Sequence, residues 1–319
     1  MNSIMVDNWF MEEVIADIRE QKAHCSSCYA ELLMAIVLWD DVYYPLNKYN
    51  WWNSIPSQVQ NMLQPVEDFN EEGQNESIKE LYRYKGISED EFYWLKWKEQ
   101  ILLDPDDIVS SGAIRYLALS GKNGFDYLPC EKRKDFLRKY CSIDNIKLSL
   151  SRIRLQGELT KIIKEYYIET YSSLIDFSNL EIKMPILFNF IIDNASNNMT
   201  PVDFAFHLKN EGPVIRYRSY LREVETALEK QDWKELRYLL NCSGDAINSV
   251  ISMDKKRLNS ISADILPIPS VMFKHNNITA SISSDFGLTI EGFEKYFKKF
   301  NLIFLKNITE YAINDMHIW

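Results

Sequence analysis

The chain has 319 residues, 46% of them hydrophobic, and a formal net charge of −10 at pH 7. A negative field of this kind disfavours binding to nucleic acid or to an anionic membrane. No apolar stretch reaches the roughly 18 residues that span a bilayer, and the start of the chain, MNSIMVDNWFMEEV, lacks the basic region of a signal peptide. The five Cys residues are odd in number and scattered, which argues against a disulfide framework, so we expect a cytoplasmic protein.

The first part of the chain has the pattern of helices, because Gly and Pro are scarce, at 10 residues each, and apolar residues recur at helical spacing. The first predicted helix begins after Asp7 or Asn8, either of which is a good N-cap. A second helix is predicted from about Ser27 to Tyr44. Pro45 would end it, because a proline ring interrupts the helical hydrogen bonds. A polar, acidic loop over 64–76 follows.

Further helices are predicted in the middle of the chain. Capping residues and apolar spacing place three of them at 76–84, 92–103 and 106–119, the last ending just before Gly121. A short basic helix over 130–141 comes next.

The second half of the chain also has a helical pattern. We predict a long helix over about 144–175, a nearly all-apolar helix over 184–195 and a helical hairpin over 200–241, whose second helix is capped by Asp232 and Glu235. Prolines and β-branched residues predict a small extended or β element near 265–285, and the end of the chain returns to amphipathic helix. The predicted fold is therefore mainly α, a multi-helix bundle or array with that small element. A change in composition after residue 143 divides it into domains 1–143 and 144–319, or the two halves form one continuous helical domain.

The stretch LMAIVLWDDVYYPLNKYNWW, residues 33–52, joins two adjacent acids to six large aromatic residues. Paired carboxylates can hold a metal, but metal sites in helical bundles use Glu-x-x-His pairs, and none of the four His residues follows a Glu at that spacing. Trp and Tyr serve well at protein interfaces. We therefore interpret the stretch as the end of a core helix that faces a partner protein or a second copy. The predicted partner-binding residues are Trp39, Asp40, Asp41, Tyr43, Tyr44, Trp51 and Trp52.

A C-x-x-C pattern lies earlier, at Cys25 and Cys28, directly after His24. Zinc needs four ligands, and the other Cys residues provide no second C-x-x-C, so we predict no metal site and no cofactor. A thioredoxin-like role needs a preceding strand and a βαβ unit, and the sequence pattern predicts neither. We interpret these Cys residues as small apolar residues at a helix junction.

Arg19 and His24 are separated by four residues. This R-x4-H spacing resembles the catalytic signature of HEPN ribonucleases, helical proteins in which Arg and His line a dimer cleft and cleave RNA. The resemblance implies that His24 acts as general acid or base and that Arg19 holds the phosphate. The family prefers Asn, Asp or His directly after the Arg, where this chain has Glu20. An RNA-cleaving helical effector is one alternative hypothesis.

Basic residues cluster on the predicted helix over 130–141, against the acidic background of the chain. The cluster supports a second alternative, a nucleic-acid-binding accessory protein, although nearby acids also fit a solvated helix face. Its members are Lys132, Arg133, Lys134, Arg138 and Lys139.

The function that the sequence supports best is a non-catalytic α-helical subunit that binds another protein or a second copy of itself. The chain has no phosphate-binding loop, dinucleotide-binding fingerprint or nucleophile elbow, which disfavours the enzyme classes that use them. It is rich in Asn, Ile and Lys, a composition common in AT-rich bacterial genes. By association, this composition favours an accessory or regulatory component of a bacterial anti-phage defence or toxin–antitoxin type system.

Overall fold

The computed structural model describes residues 3–20, 27–46, 51–67, 108–141, 150–171, 185–195, 199–265 and 301–314. These residues are mainly helical with one small parallel sheet, which confirms the predicted mainly α class with a small β element. The helices are α1 Asn8–Glu20, α2 Ser27–Leu38, α3 Ser57–Gln60, α4 Ile108–Asn123, α5 Glu131–Cys141, α6 Leu150–Tyr171, α7 Ile186–Asn194, α8 Pro201–Lys209, α9 Gly212–Glu229, α10 Trp233–Ile265 and α11 Ile303–Asn314, with a short 3-10 helix at Trp51–Ser54. The strands are β1 Ser3–Val6, β2 Asp41–Leu46, β3 Leu63–Glu67 and β4 Asp126–Leu128.

The chain forms two compact units. Unit 1 contains residues 1–160 and 182–211, and unit 2 contains residues 161–181 and 212–319. The boundary predicted after residue 143 from composition stays a prediction. The β element predicted near 265–285 falls almost entirely outside the described residues, as do the helices predicted at 76–84 and 92–103.

The sheet of unit 1 has the strand order β3-β2-β1-β4, and every neighbouring pair is parallel. Parallel neighbours need a crossover connection, so β1, α1, α2 and β2 form a βαβ unit. This corrects the expectation that the C-x-x-C pattern has no βαβ context. Cys28 nevertheless lies at the start of the second crossover helix rather than directly after a strand.

The second helix is shorter than predicted. Helix α2 ends at Leu38, and residues 41–46 form strand β2. The sequence DVYYPL is rich in β-branched and aromatic residues, which favour a pleated, half-buried strand. Pro45 does not end a helix there. It lies in β2 beyond Tyr43, the last residue registered with β1, and so outside the part of the strand that pairs on both edges.

Helix α2 forms the centre of unit 1. Ten of its residues are buried, namely all of residues 28–38 except Glu31. A helix that is apolar on all sides is stable only when other elements surround it. Helices α1, α7 and α8 pack against it, and the buried Arg152 donates a hydrogen bond to its last carbonyl, at Leu38.

Several helix ends agree with the capping residues that the sequence predicts. The amide of Phe10 donates to Asp7 Oδ1 over 2.9 Å, and the amide of Glu235 donates to Asp232 Oδ1 over 3.0 Å. Helix α4 is an exception, because it continues through Gly121 to Asn123. The turn occurs at Gly124 instead, whose φ of 69° lies in the left-handed region that glycine adopts easily.

The regular elements that the structure describes in unit 2 are all helices. Tyr220 of α9 donates to the carbonyl of Leu239 over 2.8 Å, and Tyr167 of α6 donates to the carbonyl of Ala312 over 2.5 Å. The link between α9 and α10 is a tight turn in which Gln231 has a φ of 54°. The amide of Asp232 donates back to the carbonyl of Ala227 over 2.9 Å, as in a Schellman motif.

Candidate functional site

The strand order of unit 1 indicates a candidate site at the carboxyl ends of two neighbouring strands. Connections leave β1 toward β2 and β3 on one side, whereas β4 lies on the other side of β1. In open parallel sheets, ligands bind outside the carboxyl ends of the strands where the order reverses in this way. Here that position follows Val6 at the end of β1 and Leu128 at the end of β4.

Asp7 is the central side chain at this site, and it is fully buried. Its Oδ1 lies 2.8 Å from Arg133 Nη1 and also accepts the Phe10 amide. Its Oδ2 accepts a hydrogen bond from the Tyr127 hydroxyl over 2.7 Å. Arg133 Nη1 also donates to Asn8 Oδ1 over 3.0 Å. Both oxygens of Asp7 are therefore occupied by groups of the protein itself.

The Arg133 guanidinium is enclosed on several sides. Its Cζ lies 4.6 Å from the ring centroid of Trp9 and 5.2 Å from that of Tyr116, so it makes cation–π contacts with both. A Cβ on Gly112 of α4 would lie only 2.3 Å from Arg133 Nη2, so the glycine leaves the space that the guanidinium fills. Burial alone lowers the pKa of Arg133, but the neighbouring Asp7 and Tyr127 raise it and the net shift is upward.

A second ion pair lies beside the first. Lys134 Nζ binds both carboxylate oxygens of Glu31 on α2, at 2.5 and 2.6 Å, and lies 3.3 Å from Glu131. Burial lowers the pKa of Lys134, but the two carboxylates raise it further, so the ammonium stays charged. Close by, the Cys28 thiol donates to Glu13 Oε2 over 3.0 Å, and burial followed by this hydrogen bond raises the pKa of Cys28 strongly.

These contacts form a closed network at the carboxyl ends of β1 and β4. Arg133 and Lys134, both in the first turn of α5, connect that helix to β1, α1 and α2. Among the residues that the structure describes, no group of three or more His, Cys, Asp or Glu side chains is placed to hold a metal ion. The raised pKa of Cys28 is the opposite of what a nucleophilic thiolate needs. The arrangement is suited to fixing the position of α5.

The predicted partner-binding residues are divided between core and surface. Trp39 is fully buried, donates from Nε1 to Asp126 Oδ2 over 2.7 Å and stacks under Arg152. Tyr44 is also buried and stacks on Trp52, with ring centroids 6.1 Å apart.

The remaining members of that set are less enclosed. Asp40, Asp41 and Tyr43 are half-buried, and Tyr43 stacks on Phe125 with centroids 4.1 Å apart. The Lys209 ammonium, from α8 of the same unit, donates to the backbone carbonyl of Asp40. The side chain of Trp51 lies outside the described part of the protein.

The structure describes only some of the residues on which the two alternative hypotheses depend. Arg19 is exposed in the last turn of α1 and donates to the carbonyl of Ser54 over 3.2 Å, whereas His24 lies outside the described residues. Of the basic cluster on α5, Lys132 is exposed, but Arg133 and Lys134 are buried in the ion pairs above. The side chains of Arg138 and Lys139 are not among those described. Both hypotheses stay predictions.

Unit 2 presents large apolar side chains on its surface. Trp233 and Met253 of α10 are 60% and 59% exposed, and Leu240 of the same helix is 41% exposed. Among the described helices, none combines the length and the apolarity that crossing a membrane requires. Apolar groups exposed in this way often mark contacts with other proteins.

Comparison of the chain with protein-family models, with curated proteins and with solved structures gave no match.

Sequence reasoning did not identify the main polar contact of unit 1. Asp7 was predicted as a helix cap, which it is, but its pairing with Arg133 joins residues that lie far apart in the sequence. A short apolar run, SIMV, followed by Asp and a helix is a signal for a strand that could have directed attention to this site. The exposed residues of α10 were likewise not identified, since helical spacing gives a face but not what covers it.

Proposed function

We propose that the protein is a non-catalytic interaction subunit that binds another protein or a second copy of itself through a helical surface. The observation that carries the proposal is the exposure of Trp233 and Leu240 on one side of α10. A Trp whose ring is mostly in water, on a regular helix, is the kind of anchor that protein interfaces use most.

The network at the carboxyl ends of β1 and β4 supports the same proposal indirectly. At the position where parallel sheets usually bind ligands, Asp7 and Arg133 satisfy each other and Lys134 is held by Glu31. Such a network positions helices precisely, which a binding scaffold needs. Asp40, Asp41 and Tyr43 remain a predicted part of the partner surface, whereas Trp39 and Tyr44 support it from the core.

The composition extends the proposal to a biological setting. Richness in Asn, Ile and Lys supports a place in a bacterial anti-phage defence or toxin–antitoxin type system, as an accessory or regulatory component.

Native mass spectrometry of the protein, co-expressed with the products of its neighbouring genes, tests the proposal. We expect a complex of defined stoichiometry, either with another protein or with a second copy. Trp233→Ala should weaken that complex. Met253→Ala is the matched control, because Met253 is equally exposed on the same helix but lies on another side of it. A monomer under all conditions would refute the proposal.

A further inference from the structure

Four residues of α10 form one continuous stripe on the helix surface. Trp233, Arg237, Leu240 and Gly244 follow each other at spacings of four, three and four residues, which places them within about 60° of one another around the helix. Trp233, Arg237 and Leu240 are exposed and Gly244 is partly exposed. We call these four residues the α10 stripe.

The two ends of the α10 stripe have opposite shapes. At one end, Trp233 projects the largest side chain that proteins contain, 60% exposed. At the other end, Gly244 has no side chain, and a Cβ built on it would meet no atom within 4 Å. The stripe therefore carries a projection and a shallow depression about 16 Å apart along the helix axis.

We infer that the α10 stripe is the contact between two copies of this chain, paired antiparallel about a two-fold axis. An axis between residues 238 and 239 places Trp233 over Gly244 of the second copy, and Leu240 beside the aliphatic stem of Arg237 of the second copy. Because the axis is two-fold, each of these contacts is made twice, as an isologous interface requires. The small residue lets the Trp ring reach the opposite backbone, as in knobs-into-holes packing.

The charges beside the stripe agree with this pairing. Lys234 and Asp245 are both exposed and lie on the same flank of α10, at about 100° and 120° from Trp233. In an antiparallel pair the same flank of each helix faces the other, so Lys234 lies opposite Asp245 of the second copy, about 3 Å apart along the axis. In a parallel pair, opposite flanks face each other and Lys234 does not meet Asp245. Together with the placement of Trp233 over Gly244, the pairing of Lys234 with Asp245 points to a second copy in the antiparallel arrangement as the occupant.

The stripe is short, which sets the expected strength. Four positions on one helix bury less than the roughly 1,000 Å² at which specific interfaces begin to be stable. We therefore expect a dissociation constant on the order of 10–100 µM.

Sedimentation velocity over a range of concentrations tests the inference on the full chain. Wild-type protein should pass from monomer to dimer with rising concentration. Trp233→Ala should weaken the dimer by about 30-fold, as expected for a central aromatic anchor. Met253→Ala should leave it unchanged. A wild type that stays monomeric well above 100 µM, or a dimer unaffected by Trp233→Ala, would overturn the inference.

Charge reversal tests the antiparallel geometry itself. Lys234→Asp places two acids opposite each other in a homodimer, and Asp245→Lys places two lysines opposite each other, so each variant alone should dimerise less than the wild type. Mixed together, the two variants should form a heterodimer, because every pair across the axis is then of opposite charge. Equal dimerisation of the mixture and the separate variants would overturn the antiparallel pairing.

Gly244→Ala separates binding from folding. The added methyl group meets open space in the isolated chain and should not reduce folding stability, whereas it fills the depression and should weaken the dimer. A dimer strengthened or unchanged by Gly244→Ala would contradict the contact between Trp233 and Gly244.

This inference rests on the proposed function, and their failures are distinguishable. A complex with another protein but no homodimer would overturn the inference and leave the proposed function standing. A monomer in both experiments would overturn both.

Discussion

Replacing Gly112 by Ala should destabilise unit 1 although Ala is the better helix former. The added Cβ would lie 2.3 Å from Nη2, 2.7 Å from Cζ and 3.0 Å from Nε of Arg133. Ordinary contacts of this kind are longer by roughly 1 Å, so the guanidinium has to move. It cannot do so freely, because it is held by Asp7 at 2.8 Å and enclosed by Trp9 and Tyr116.

The expected size of the effect follows from two opposing contributions. Breaking a buried ion pair costs about 3–5 kcal/mol, because the remaining charge loses its partner. Replacing Gly by Ala within a helix gains about 1 kcal/mol. The net loss for Gly112→Ala is therefore about 2–4 kcal/mol in the free energy of unfolding.

Urea unfolding followed by circular dichroism measures this difference, with Gly121→Ala as the matched control. Gly121 lies in the same helix, and a Cβ there would meet no atom within 4 Å, so this variant should be as stable as the wild type or up to about 1 kcal/mol more stable. If both variants have the same unfolding midpoint, the close packing of Gly112 on Arg133 is refuted.

A thermodynamic cycle tests whether the guanidinium of Arg133 causes the loss of stability. In a chain that carries Asp7→Asn and Arg133→Met, the ion pair is absent and the flexible Met side chain yields to the new methyl group. Adding Gly112→Ala there should be neutral or stabilising. A cost that persists in this background would show that something other than the guanidinium opposes the substitution.

Three further predictions concern the rest of the molecule. Gln231→Gly should raise the free energy of unfolding by about 1 kcal/mol, because Gln231 has a φ of 54°, and unchanged or lower stability in urea would contradict this. Burial raises the pKa of Tyr220 to about 12, so its neutral phenol stabilises the fold fully below pH 10 and this stabilisation is lost as the pH rises through 12. Tyr220→Phe should therefore be about 1 kcal/mol less stable than the wild type at neutral pH, because it lacks the hydrogen bond to the Leu239 carbonyl. Between pH 10 and 12 the variant should lose less stability than the wild type does. Parallel curves of stability against pH would refute this. Burial raises the pKa of Cys28 strongly and that of Cys130 to about 11. Of the three cysteines whose side chains the structure describes, a thiol reagent at pH 8 should therefore label the partly exposed Cys242 before Cys28 and Cys130, as followed by peptide mapping, and early labelling of Cys28 would be the contrary result.

The sequence predicted helices well where local chemistry specifies them. Asp7 and Asp232 cap their helices as expected, and the apolar helix predicted over 184–195 is present as α7. Capping and periodicity involve residues within one or two turns, so the sequence alone contains that information. The predicted helix from Ser27 failed only past Leu38, where a choice between helix and strand had to be made.

That choice depends on residues far away in the chain. The segment DVYYPL becomes a strand because β1 and β3 lie on either side of it, and no local pattern specifies that these segments pair with it. The candidate site was unpredictable for the same reason, since Asp7 and Arg133 meet only once β1 and β4 are paired.

By itself, the sequence determined that this protein is mainly helical and acidic, and where many of its helices begin. Those properties follow from composition and from contacts between near neighbours. Only the tertiary structure decided that Arg133 and Lys134 are buried rather than displayed, and that Trp233 is exposed rather than packed. Burial is decided by which elements cover a side chain, and a helix of given sequence presents the same stripe whether or not another surface lies against it.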